Sequence, residues 1–228
     1  MRTQPVRLVL ALLLCLCVSR AARAQGGAVE PPGGWPVVTV HGETWNQQQL
    51  LQRNLGGRDD QTTQFPPHRI VGNIYYVGSN SLASFVIATP EGLILINSSY
   101  ERSVPLIQKS VEALGFKFSD VKILLGSHAH GDHMEGDAAV KALTGAQVVA
   151  MAEDVPVLED GGVTDFRNDG RKLWEPVKVD KVIKDGEKLT LGGVTLTARK
   201  TAGHTKGCTT YTMMVDDGGK QRQAIFIC

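Results

Sequence analysis

His128-Ala129-His130-Gly131-Asp132-His133 places three imidazoles and one carboxylate in six consecutive residues, and His204 adds a fourth imidazole farther along the chain. Imidazole nitrogen and carboxylate oxygen are donors that zinc accepts, usually four in a tetrahedron, and a catalytic zinc keeps one position open for water. Four of the chain's six histidines fall in this set. His41 and His68 stand alone and are read as structural. The cluster is therefore read as a divalent-metal site. A zinc held there would lower the pKa of bound water from about 15.7 to roughly 7, supplying hydroxide at neutral pH without a serine nucleophile.

Spacing suggests how the chain presents these groups. Val121 to Ser127 is an apolar run ending in small residues, which predicts a buried strand opening into a loop. His128 and His130 lie two apart, so in an extended segment both point to one side. Gly131 is expected to let the backbone turn sharply and swing Asp132 and His133 toward a second point. Met134, Ala138, Ala139, Ala142 and Leu143 have helical spacing, which predicts a helix over 134–143. A strand-to-helix junction is where open α/β sheets place their ligands. Ala202-Gly203-His204-Thr205-Lys206-Gly207 is a glycine-flanked turn between two strand-like runs. That suits a ligand held on a loop, and it also suits a plain tight turn.

Residues 1–24 have the pattern of a secretory signal peptide. Arg2 and Arg7 precede an apolar stretch from Leu8 to Val18, and Ala22-Arg23-Ala24 resembles a signal-peptidase site. The stretch is too short for a stable bilayer anchor, so no membrane association is expected after its removal. Residues 25–36 are rich in glycine and proline and read as a flexible leader, and 37–228 read as one domain. Two of the four cysteines fall in the signal segment, leaving Cys208 and Cys228, whose pairing the sequence does not decide. Removing the four arginines of the segment from a chain of formal charge +1 leaves −3. With no basic patch, nucleic acid is not an expected partner. Arg222 to Cys228 reads as a strand that stops while still apolar, so the chain is expected to be a fragment.

The rest of the pattern is α/β. Asn73 to Gly78 and Ala83 to Thr89 read as strands, and Pro90-Glu91-Gly92 turns into Leu93 to Asn97. Ser103 to Leu114 carries a helical stripe of Val104, Ile107, Val111 and Leu114, ended by Gly115. Ala146 to Met151 completes a β-loop-α-β unit with the strand before the metal loop. Residues 159–176 lack periodicity and read either as a loop over the site or as a surface excursion. Lys188 to Leu191, Val194 to Arg199, Thr209 to Val215 and Gln221 to Cys228 read as two hairpins.

The motif Ser127-His128-Ala129-His130-Gly131-Asp132-His133, with Gly203-His204-Thr205-Lys206-Gly207 downstream, resembles the metallo-β-lactamase superfamily. Asn73-Ile74-Tyr75-Tyr76-Val77-Gly78, Thr89-Pro90-Glu91-Gly92, Met151-Ala152-Glu153-Asp154-Val155-Pro156 and Thr201 to Tyr211 are similar to the third subclass of class B β-lactamases. That subclass builds two zinc sites from histidines and an aspartate, without cysteine. The resemblance spans about residues 65 to 228. It implies an αββα four-layer sandwich, its second half incomplete in this chain, with the site at one edge between the sheets.

The resemblance implies that His128, His130 and His204 hold the first zinc (Zn2+), and Asp132 and His133 the second. Asp132 would also be catalytic, orienting a hydroxide shared by both zincs for attack on the carbonyl of a small-molecule β-lactam. A further histidine and the groups that grip the substrate carboxylate are expected beyond Cys228. Cys228 invites comparison with a subclass that uses a cysteine ligand, but His133 argues against it. With the export signal, the resemblance implies a periplasmic or secreted antibiotic-resistance hydrolase, expected to be a monomer. Two alternatives stay open: another hydrolase of the superfamily, such as a thioesterase or lactonase, and an inactive truncated zinc-binding remnant.

Overall fold

The computed structural model describes residues 37–46 and 60–228. The signal segment and leader lie outside the described residues. Among the described residues, no helix is long and apolar enough to cross a membrane. Residues 37–46 form a small hairpin of β1 (Val37–Val40) and β2 (Glu43–Asn46), with His41 in its turn.

Residues 60–228 carry two sheets. The larger has seven strands whose spatial order follows the chain: β3 (His68–Val71), β4 (Ile74–Tyr76), β5 (Phe85–Thr89), β6 (Gly92–Ile96), β7 (Val121–Leu125), β8 (Gln147–Met151) and β9 (Lys181–Ile183). Pairing is antiparallel from β3 to β6 and parallel from β6 to β9. Parallel neighbours need crossover connections. These contain α1 (Val104–Ala113), then α2 (Gly131–Met134) with α3 (Asp137–Thr144), then α4 (Val155–Glu159). The second sheet is an antiparallel meander of β10 (Lys188–Leu191), β11 (Val194–Lys200), β12 (Thr209–Asp217) and β13 (Lys220–Phe226).

Alternation along the central strands explains the layering. Leu93 and Leu95 of β6, with Val148 and Ala150 of β8, pack against Val104, Ile107 and Val111 of α1, Val140 of α3 and Leu158 of α4. The intervening residues Ile94, Ile96, Val149 and Met151 point the other way, onto Leu189, Leu196, Ala198, Tyr211 and Met213 of the second sheet. A sheet buried on both faces reads as a continuous apolar run, as the sequence of β6 does. The result is helix on sheet on sheet, in keeping with the αββα sandwich, its second half incomplete, that the resemblance implied. Among the described residues no helix follows β9, and Met214 and Ile225 on the second sheet are exposed.

One local expectation changes. The stretch read as a helix over 134–143 is split between α2 and α3. The Gly136 amide donates to Ser99 O (2.8 Å) instead of continuing the helical ladder. A Cβ at this glycine would sit 2.7 Å from Val104 Cγ2 and 3.0 Å from Ser98 O, so close approach to that turn requires glycine. The chain turns at Gly131, without a left-handed conformation. This glycine is the first residue of α2, after His130 in extended conformation (φ −122°, ψ 156°).

Candidate metal centre

β7 ends at Leu125, and the chain is caught at once. Ser127 donates through its amide and its hydroxyl to Asn97 Oδ1 (2.9 and 3.1 Å), while Ser127 O accepts from the Thr209 amide (2.7 Å). Asn97 follows β6 with φ 66°, a conformation asparagine tolerates better than most residues. Tyr211, fully buried on β12, donates to Gly126 O (3.1 Å). The loop is thus anchored to both sheets just before its first histidine.

Five side chains then converge. Ligand atoms of His128, His130 and His204 lie within 4.8 Å of one another, as do those of His128, Asp132 and His133. His130 Nδ1 is 3.1 Å from His204 Nε2. Asp132 Oδ2 is 3.6 Å from His133 Nε2. His128 and His130 are buried, Asp132 and His133 are half-buried, and His204 is exposed, so the cluster opens to solvent on one side. His68 lies apart on β3, its ring stacked on Tyr76.

His128, His130 and His133 each have one ring nitrogen near a polar or sulfur atom outside the donor groups. His130 Nε2 is 2.9 Å from Asp165 Oδ2, and His133 Nδ1 is 2.9 Å from Ser127 Oγ. His128 Nδ1 is 3.5 Å from both Ser127 Oγ and Cys228 Sγ. The His128 Nε2 atom is buried and has no hydrogen-bond partner.

Burial and neighbouring charges favour the neutral form of His128, His130 and His133. Burial, followed by the neighbouring imidazoles, pushes the His128 pKa down to about 2. His130 is lowered by burial and then by Arg167, and His133 by burial. Neutral imidazole is the form that ligates zinc. Two nitrogens on one tetrahedral zinc, each bonded at 2.0–2.1 Å, are roughly 3.4 Å apart, close to the His130–His204 separation. The orphaned His128 nitrogen, this spacing and an all-nitrogen-and-oxygen donor set fit a divalent zinc.

The structure adds residues that the motif did not single out. Asp165 and Arg167 come from the stretch 159–176, which does fold against the site: the Arg167 Nη1 atom is 3.2 Å from His130 Nδ1. Asp154, buried after β8, accepts from the Ala129 amide, the Thr205 hydroxyl and the Gly207 amide. In sequence these carboxylates look like ordinary turn residues, and their partners lie dozens of residues away.

Cys208 and Cys228 are joined in a disulfide across 20 positions. Their sulfurs and His128 also lie within 4.8 Å, but bonded sulfurs do not offer thiolates to a metal. The bridge instead staples the start of β12 to the residues after β13.

A two-sheet sandwich with an imidazole-carboxylate cluster on loops between the sheets defines a class of metal-dependent hydrolases. The chain belongs to the metallo-β-lactamase superfamily, whose family model matches residues 78–216. It is 54% identical to native FEZ-1 metallo-β-lactamase from Legionella gormanii, with TM-score 0.71, covering 73% of this chain and 64% of that one. The class B3 di-zinc metallo-β-lactamase LRA-12 from an Alaskan soil metagenome is 34% identical over 75% of this chain and 65% of that one, with TM-score 0.71. A hydroxyacylglutathione hydrolase from Methylococcus capsulatus is 31% identical over 44% of this chain and 31% of its own length. The chain spans just under two-thirds of the FEZ-1 chain and about a third of the curated relatives it matches.

Proposed function

We propose that this protein hydrolyses the amide bond of β-lactams with zinc held by His128, His130 and His204 in one set and by Asp132 and His133 in a second. The observation that carries this reading is the convergence of two loops, 128–133 and 202–207, on donor sets that meet at His128. Identity of 54% to FEZ-1 over 73% of the chain supports a lactam substrate over the thioester suggested by the shorter match to the hydroxyacylglutathione hydrolase.

When bound, zinc supplies Lewis acidity and makes water reactive near neutral pH. The chain's own residues do the rest. Asp165 holds the Nε2 proton of His130 and leaves Nδ1 as the donor atom, the usual task of a carboxylate behind a ligating imidazole. Ser127 does the same for His133 at Nδ1. Asp132, half-buried in the cluster, would orient the attacking water and take its proton on the carboxylate, and that proton would pass to the lactam nitrogen as the C–N bond breaks. Burial of His128 and His130 keeps bulk water from the inner side of the cluster. An export signal in residues 1–24 would carry the enzyme to the periplasm or outside the cell, where such antibiotics are met.

The test is a panel of penicillin, carbapenem, lactone and lactoylglutathione offered to the zinc-loaded protein. Hydrolysis of the first two, lost on chelation, is the expected result. Activity on lactoylglutathione alone would overturn the proposal.

A further inference from the structure

Asp154 stands at the N-cap position of α4, where an aspartate ordinarily accepts from the first amides of its helix. Here it makes no such bond. Its carboxylate points instead at the two ligand loops. Oδ2 accepts from the Ala129 amide (3.0 Å) and from the Thr205 hydroxyl (2.9 Å), while Oδ1 accepts from the Gly207 amide (2.8 Å). Ala129 lies between His128 and His130, and Thr205 follows His204. One buried carboxylate, 3% exposed, therefore ties the backbone between two candidate ligands to the residue beside a third.

The fit is close. A Cβ on Gly207 would lie 2.5 Å from Asp154 Cγ and 2.7 Å from its Oδ1, so the second loop reaches the carboxylate only because that residue is glycine. Both oxygens are engaged by donors. An asparagine in the same place would turn its own N–H groups toward one of them.

We propose that Asp154 is a positioning residue that sets the separation of the two loops, and so the affinity of the set His128, His130 and His204. The second pair, Asp132 and His133, comes from one loop alone, and neither residue adjoins a group that Asp154 holds. The inference rests on reading the cluster as a metal site.

The test is a zinc titration of the metal-free chain against a chromophoric chelator, on wild type, Asp154→Asn, Thr205→Val and Thr205→Ser, with near-UV circular dichroism to select folded protein. Removing a partner behind the ligands typically costs 10–100-fold in metal affinity. Asp154→Asn should weaken the two-loop set by about tenfold or more, leaving the one-loop set within about twofold. Thr205→Val should weaken the same set less, and Thr205→Ser, which keeps the hydroxyl, should match wild type. A purely structural role would lower thermal stability but leave zinc affinity of the folded protein unchanged. Folded Asp154→Asn with wild-type affinity, or Thr205→Val indistinguishable from Thr205→Ser, overturns the proposal while the metal site stands. Failure of wild type to bind zinc removes the metal site itself and this role with it.

Discussion

Asp165 Oδ2 lies 2.9 Å from Nε2 of His130, and the opposite ring nitrogen faces His204 at 3.1 Å. The carboxylate is buried, at 6% exposure, so it acts on the imidazole in a low-dielectric setting where hydrogen bonds to charged groups are strong. Asp165→Asn should therefore lower zinc affinity by roughly tenfold with the fold intact. Competitive zinc titration checks this, and an unchanged affinity would show that Asp165 does not set the His130 donor.

His128 and His204 should differ in what they remove. The ligand atom of His128 lies near both donor groups and that of His204 near one. His128→Ala should weaken zinc retention by both groups, whereas His204→Ala should leave the group on loop 128–133 able to bind. Metal content after gel filtration separates the two outcomes.

The disulfide between Cys208 and Cys228 closes a loop of 20 positions. A cross-link of that span is worth about 3 kcal/mol, chiefly through the unfolded chain. Cys208→Ser with Cys228→Ser should lower urea-unfolding stability by about that amount. A change below about 1 kcal/mol would mean that the unfolded chain is already constrained there.

Asp137 gives a pH-dependent prediction. It is fully buried, accepts from Ser98 Oγ (2.6 Å) through Oδ1, and leaves Oδ2 without a partner. Burial pushes its pKa from 3.8 up to about 7. Because the folded value lies above the unfolded one, its stabilising contribution is full below about pH 4 and is lost as pH rises through 7. Asparagine does not ionise, so the melting temperature of Asp137→Asn should gain on wild type between about pH 5 and about pH 8. A constant difference across that range would contradict the shift.

The parts of this molecule legible in its sequence are the local ones. His128, His130, Asp132 and His133 are neighbours in the chain, so their donor chemistry is visible without a fold. The alternation in β6 and β8 likewise places their side chains on two buried faces. Short edge elements such as β3 and β9, of four and three residues, carry too little pattern to register. The break between α2 and α3 is set by contact of Gly136 with Ser98 and Val104, which no helical spacing reveals. Asp154 and Asp165 escaped for the same reason. Each acts across a separation of 25 residues or more, on loops where an aspartate is also a common turn former.

Zinc bound per folded chain, measured by elemental analysis beside His130→Ala, tests the central claim most directly. Wild type should retain zinc through gel filtration and lose it to a chelator, while His130→Ala should lose the zinc of the two-loop set and its hydrolytic activity together. Folded wild type without zinc, or His130→Ala with undiminished zinc and turnover, would contradict the account.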